Sequence, residues 1–172
     1  MIYYIHGCGS SLKSDTLLGL QKEMDVVGLT YDIQNPVGSI NKLVDSIHDE
    51  HPIIIGSSIG GWFAEQLSNY ISGSFVMYNP STEPWDSLSK YGIQKEILDT
   101  FKSLDKPMRV ATRVVIVSTD DEILNPELAI VKYSRNSWVE FTIGGHRMTS
   151  DNLKLIVREA KFLEHSFSNS ML

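Results

Sequence analysis

Residues 52–63 read Pro-Ile-Ile-Ile-Gly-Ser-Ser-Ile-Gly-Gly-Trp-Phe, and no other stretch limits the fold as tightly. Three consecutive isoleucines make a short run that is apolar on both sides, which suits a strand covered on both faces in a parallel sheet. The run passes directly into Gly56-Ser57-Ser58-Ile59-Gly60-Gly61, and a helix is expected from Gly60 to Tyr70. The pattern Gly56-x-Ser58-x-Gly60 belongs to a sharp turn from strand into helix that holds its central serine in a strained backbone conformation. Side chains two residues before or after that serine would collide, which is the steric reason for glycine at both places. The helix that follows aims its first amides toward the serine.

The rest of the chain alternates in the same way. Short apolar runs predict strands at Met1–Ile5, Leu29–Ile33, Pro52–Ile55, Ser74–Tyr78, Val114–Val117 and Val139–Ile143. Helical patterns lie between them, opening at Ser14 or Asp15, at Ser39 as N-cap, at Gly60, at Pro126 and at Asp151. Between Asn79 and Met108 three prolines interrupt the rhythm around one helical segment, Ile93–Leu104, and residues 165–172 read as a loose tail. Six strands separated by helices predict βαβ units, hence a parallel sheet with helices on both faces. The reading is one α/β domain over residues 1–172, with a small lid or rim inserted at about 81–108.

Composition narrows the function. A chain of 172 residues, 42% hydrophobic and 21% charged, is an ordinary globular sequence and long enough to fold without staples. Its formal charge of −6 argues against a nucleic-acid surface, which needs a basic face, and against polyanionic substrates. The single cysteine, Cys8, excludes an internal disulfide. No basic leader and no run of 18 apolar residues occurs, so a cytoplasmic protein without membrane attachment is expected. Neither a phosphate-binding Gly-x-x-x-x-Gly-Lys loop nor metal-ligand spacing is present, and neither metal nor organic cofactor is expected.

A serine hydroxyl is a poor nucleophile until a base takes its proton. Of five histidines, His165 lies in the tail and only His146 comes directly after the last strand, in Ile143-Gly144-Gly145-His146, where two glycines suggest a mobile loop able to swing the imidazole over the strand ends. The carboxylate that orients such a base should follow the preceding strand. Asp120, Asp121 and Glu122 all stand there, and spacing does not choose among them. The loop after the first strand, His6-Gly7-Cys8-Gly9, is positioned to supply a backbone donor to an oxyanion. The Cys8 and Ile59 amides are the expected pair, with His6 bonding to nearby backbone.

With these pieces together, the chain resembles the small α/β-hydrolase-fold esterases of the YqiA/YcfP type. The landmarks are Ile2-Tyr3-Tyr4-Ile5-His6-Gly7, the turn Gly56-Ser57-Ser58-Ile59-Gly60-Gly61-Trp62, Tyr78-Asn79-Pro80, Asp121-Glu122-Ile123-Leu124 and Gly144-Gly145-His146. The resemblance implies a truncated α/β-hydrolase fold with strand order 2-1-3-4-5-6. It also implies Ser58 as nucleophile, His146 as base and Asp121 as acid, because the family's acid is followed by Glu and two apolar residues. Asp120 stands where relatives usually have glycine. The expected activity is hydrolysis of small, soluble acyl esters or thioesters. The alternative is a hydrolase-like scaffold that binds without turnover.

Overall fold

The pleat of the isoleucine strand sorts its side chains between two cores, one on each face of a sheet. The structure, a computed structural model, describes residues 1–109 and 112–170, with side chains as far as residue 166. In β1 (Ile2–Ile5), Tyr3 and Ile5 face one core while Ile2 and Tyr4 face the other. The isoleucine strand does the same, with Ile54 on the first face and Ile53 and Ile55 on the second. Such period-two sorting with both sides buried is what a strand between helix layers requires.

In chain order, β1 is followed by α1 (Asp15–Glu23), β2 (Val26–Leu29), α2 (Pro36–Asp45), β3 (Ile53–Ser57), α3 (Ile59–Leu67) and β4 (Ser74–Tyr78). Then come α4 (Pro84–Ser87), a 3-10 turn (Ser89–Tyr91), α5 (Lys95–Leu104), β5 (Thr112–Ser118), α6 (Pro126–Tyr133), β6 (Trp138–Thr142) and α7 (Ser150–Ser170). The six strands form one parallel sheet in the order β2-β1-β3-β4-β5-β6, with Ile5 opposite Gly56 and Ser57 opposite Tyr78. The chain first moves outward from β1 to β2 and then returns across β1 to lay down β3. Carboxyl ends of strands on either side of such a reversal leave a crevice between their loops. The His6–Gly9 loop and the serine turn meet there.

Several local expectations need correction. β2 lies at Val26–Leu29 instead of Leu29–Ile33, because pairing with β1 sets Ile2 against Val26 and Ile5 against Leu29. Tyr31 and Ile33 are apolar because they pack on the first core from the loop beyond, where Tyr31 stacks against His6 and Phe63. The cap of α2 is Asn35, whose Oδ1 accepts the Gly38 N–H at 3.0 Å, with Pro36 in the first turn. Ser39 instead bonds through its hydroxyl to the Asp32 backbone on both sides, at 2.8 Å each. At the other end, α7 runs on to Ser170, so residues 165–170 are helical, while 171–172 lie outside the described residues. Between β4 and β5, Leu88 and Phe101 are buried in the first core, with Phe101 edge-on to Trp62 at 4.9 Å. Among the described residues no helix is long and apolar enough to cross a membrane.

Behind the serine turn, α3 carries a buried acid. Glu65 is 1% exposed; it accepts the Tyr133 hydroxyl at 2.8 Å and lies 2.8 Å from Lys132 Nζ. Lys132 also lies 3.6 Å from Asp105, which accepts the Trp62 indole N–H at 2.8 Å. Burial pushes the Glu65 carboxyl up, and the opposing pull of Lys132 and Tyr133 does not bring it back to its ordinary value. An acid with a folded value above its unfolded one takes up a proton as pH falls, which relieves its cost. Lys132→Met should therefore destabilise the fold by about 2 kcal/mol at pH 8, the buried-pair cost reduced for the lysine's partial exposure. Urea unfolding at pH 8 and pH 5.5 should show the penalty shrinking at the lower pH. An equal penalty at both would mean that Lys132 does not compensate an ionised Glu65.

Candidate active site

Ser58 has φ 54° and ψ −123°, a conformation that costs a non-glycine residue about 1–3 kcal/mol. Backbone bonds hold it there. Its N–H donates to Tyr78 O at 3.0 Å, and its carbonyl accepts the N–H groups of Gly61 and Ser81, both at 2.9 Å. The flanking glycines are obligatory by distance. A Cβ on Gly56 would stand 2.4 Å from Gly60 O, and one on Gly60 only 2.2 Å from Ile5 O. The Ser58 side chain makes no capping bond to α3, so its hydroxyl is available to other partners.

That partner is His146. Its Nε2 lies 3.1 Å from Ser58 Oγ, and its Nδ1 lies 2.8 Å from Asp121 Oδ2. The carboxylate can only accept, so Nδ1 carries the proton and Nε2 presents its lone pair to the serine. Asp121 Oδ1 takes the N–H groups of Ile123 and Leu124, each at 2.8 Å. Burial by itself would push the Asp121 carboxyl up. The hydrogen bond from His146 and those two amides outweigh it, and the group sits below its ordinary value.

The loop carrying His146 is tied down, in contrast to the mobile loop suggested by its glycines. Asp120 Oδ1 accepts the N–H groups of Gly144 at 2.9 Å and Gly145 at 3.0 Å, and the Ser118 hydroxyl at 2.7 Å. Glu122 accepts the His146 N–H at 2.8 Å. Gly145 O accepts from the Tyr78 hydroxyl at 3.0 Å and from Asn79 Nδ2 at 3.1 Å. Glycine is needed here for positive φ, 125° at Gly144 and 75° at Gly145. The amides of Gly145 and Gly144, with the Ser118 hydroxyl, hold the Asp120 carboxyl below its ordinary value. The three consecutive acids thus divide the work, one on the imidazole and one on each side of its loop. Asn79, at φ 42°, links the loop to β5 by accepting the Ser118 N–H at 2.7 Å. Sequence reading assigned no role to Tyr78, Asn79 or Ser118, although the first two fall in a quoted landmark.

Cys8 and Ile59 both line a cleft of about 570 Å³ that contains Ser58 and His146. Ile59 opens α3, where the first amides have no partner inside the helix. Desolvation pushes the Cys8 thiol up, so at neutral pH it is not a thiolate. His6 donates from Nδ1 to Gly7 O at 2.9 Å and stacks on Tyr31, outside the lining of the cleft. His48, His51 and His165 also lie outside that lining. Among the described residues no group of three or more His, Cys, Asp or Glu side chains is placed to hold a metal ion.

The fold has many solved counterparts. Mouse alpha/beta hydrolase domain-containing protein 10 superposes with a TM-score of 0.78 at 13% identity, covering 96% of this chain and 90% of its own. An esterase from Pyrococcus furiosus gives 0.64 at 15% identity, covering 95% and 80%. At these identities the likeness establishes the α/β-hydrolase fold. In sequence, the UPF0227 protein YcfP of Escherichia coli is 28% identical over 141 residues, which span 74% of this chain and 78% of that protein. A family match extends over residues 1–149, and the chain belongs to the uncharacterised protein family UPF0227.

Proposed function

We propose that the protein is a serine hydrolase that cleaves small acyl esters or thioesters. The observation that carries this reading is the relay from Asp121 Oδ2 to His146 at 2.8 Å and from His146 Nε2 to Ser58 Oγ at 3.1 Å, built on a strained serine turn. Neighbours of the same fold that include an esterase support it.

In the proposed reaction, Ser58 Oγ bonds to the acyl carbon while its proton passes to His146 Nε2. The carbonyl π electrons move onto oxygen, where the Cys8 and Ile59 amides stabilise the charge; each such donor is worth roughly 3 kcal/mol of barrier. Asp121 stabilises the imidazolium. The tetrahedral adduct collapses by expelling the alcohol or thiol, which leaves with the proton from His146. Water then gives a proton to His146 and its oxygen to the acyl-serine, and collapse returns that proton to Ser58 Oγ and releases the acid. All the protein groups in these steps belong to this one chain, and the substrate is soluble.

A fluorophosphonate probe bonds to a serine only where a base has activated it. Mass mapping should find the adduct on the Ser58 peptide, and it should vanish in Ser58→Ala and His146→Ala. Loss of either residue should lower kcat on a short-chain ester by a factor on the order of 10⁴–10⁶. A folded protein without the adduct would instead favour a scaffold that binds but does not turn over.

The adjacent acids separate by the same assay. Asp121→Asn should cost on the order of 10³–10⁴ in kcat, since the imidazole loses its tautomer and its counter-charge. Asp120→Asn still has one acceptor oxygen for the loop amides and should cost about tenfold. The reverse ranking would move the acid to Asp120. The stability linkage has a definite sign. With its folded value below the ordinary 3.8, Asp121 contributes stability above that pH and loses it as pH falls through the folded value. The stability gap between wild type and Asp121→Asn should therefore close below about pH 4.

A further inference from the structure

The walls of the cleft differ in chemistry. One is richer in apolar groups: Leu88 and Tyr91 from the segment between β4 and β5, with Ile123 and Leu124 from the loop after β5, beside Ser81 and Ser87, whose hydroxyls are bonded to each other at 2.8 Å. Lys90 Nζ donates to Ile123 O at 3.2 Å and ties those two segments together. The other wall comes from β1, the end of β3 and the start of α1, and it carries the hydroxyls of Tyr4, Ser57 and Thr16. Tyr4 and Ser57 are hydrogen-bonded at 2.9 Å, and Thr16 lies on the same lining.

The proposed reaction uses none of these three groups, although Ser57 directly precedes the proposed nucleophile. The Tyr4–Ser57 pair holds two protons, and the bond between them uses only one of them. One O–H donor of the pair is therefore left, on Ser57 or on Tyr4 according to which of them donates. Lone pairs remain to accept as well. A row of hydroxyls that can both donate and accept matches a ligand group of the same kind, another hydroxyl. The charged residues on the lining are Asp15, Glu122 and Arg147, two acids against one base, which does not favour an anion.

Resting on the hydrolase reading above, we infer that the Thr16–Tyr4–Ser57 hydroxyl row binds the alcohol half of the substrate, and that the substrates are short-chain acyl esters of neutral polyols. Leu88, Tyr91, Ile123 and Leu124 take the acyl chain. The alcohol's free hydroxyls bond to the row, and a substrate without them leaves part of it unpaired.

The decisive comparison is between glyceryl monobutyrate and propyl butyrate, which share the acyl chain and the carbon count of the alcohol and differ in two hydroxyls. For wild type, kcat/KM should favour the glyceryl ester by about tenfold, the worth of one or two hydrogen bonds in discrimination. Tyr4→Phe and Ser57→Ala should each bring that ratio toward one. A ratio of two activities on the same variant is insensitive to how much of it is folded. Three results overturn the inference: no preference in wild type, a preference that survives both substitutions, or a protein that labels at Ser58 yet cleaves neither ester. If neither ester is cleaved and Ser58 also fails to label, what fails is the hydrolase reading beneath it.

Discussion

The site depends on one backbone contact, the crossing of α3 over the end of β1. Gly60 comes so close to Ile5 that a Cβ would stand 2.2 Å from the Ile5 carbonyl oxygen. This approach lets β3 reverse into α3 within the length of the serine turn, and it sets the first amide of α3 beside the His6–Gly9 loop. A methyl group there would have to push the helix away from β1. Such a shift would carry Ser58 with it and open the 3.1 Å contact to His146. The packing of α3 against the core is thus the same constraint as the geometry of the cleft. Trp62 and Phe63, both fully buried, hold the helix down from the far side.

The second dependency is electrostatic. An imidazole on a glycine-containing loop has many conformations, and aiming it at one hydroxyl costs entropy. Here that cost is met before any ligand arrives. Asp120 gathers two loop amides, Glu122 a third, and Tyr78 and Asn79 hold the Gly145 carbonyl. A glycine at position 120 could not make these bonds. The chain therefore stiffens its histidine loop with a carboxylate. The same group, beside Asp121, accepts from the loop and leaves Asp121 free for the ring.

The serine turn was legible because its constraint is local. Two glycines at fixed distance from a serine, after a run of isoleucines, state a steric requirement within five residues. β4 and α6 were legible at their bounds for similar reasons, a short apolar run after Gly73 in one case and Pro126 in the first turn in the other. β2 was not. Whether Val26–Leu29 or Leu29–Ile33 pairs with β1 depends on register, and both stretches are apolar, one for the sheet and the other for the core below Tyr31. The α2 cap failed similarly, since Asn35 and Ser39 are both good capping residues and only the path of the chain chooses between them. Helical pattern gave no way to see that the last helix continues through residue 170.

By itself the sequence determined the alternation of strands and helices, the strained serine and its glycines, and the set from which histidine and acid had to come. Each follows from interactions between neighbours in the chain, where sterics and periodicity act over a few residues. Only the tertiary structure decided how three adjacent carboxylates divide between the imidazole and its loop, that a loop with two glycines is held in place, and that Tyr4 and Ser57 pair their hydroxyls on the cleft lining. Those contacts join residues up to 88 positions apart. They exist because parallel pairing brings the carboxyl ends of β1, β3, β4, β5 and β6 to one edge of the sheet, a juxtaposition that no local pattern encodes.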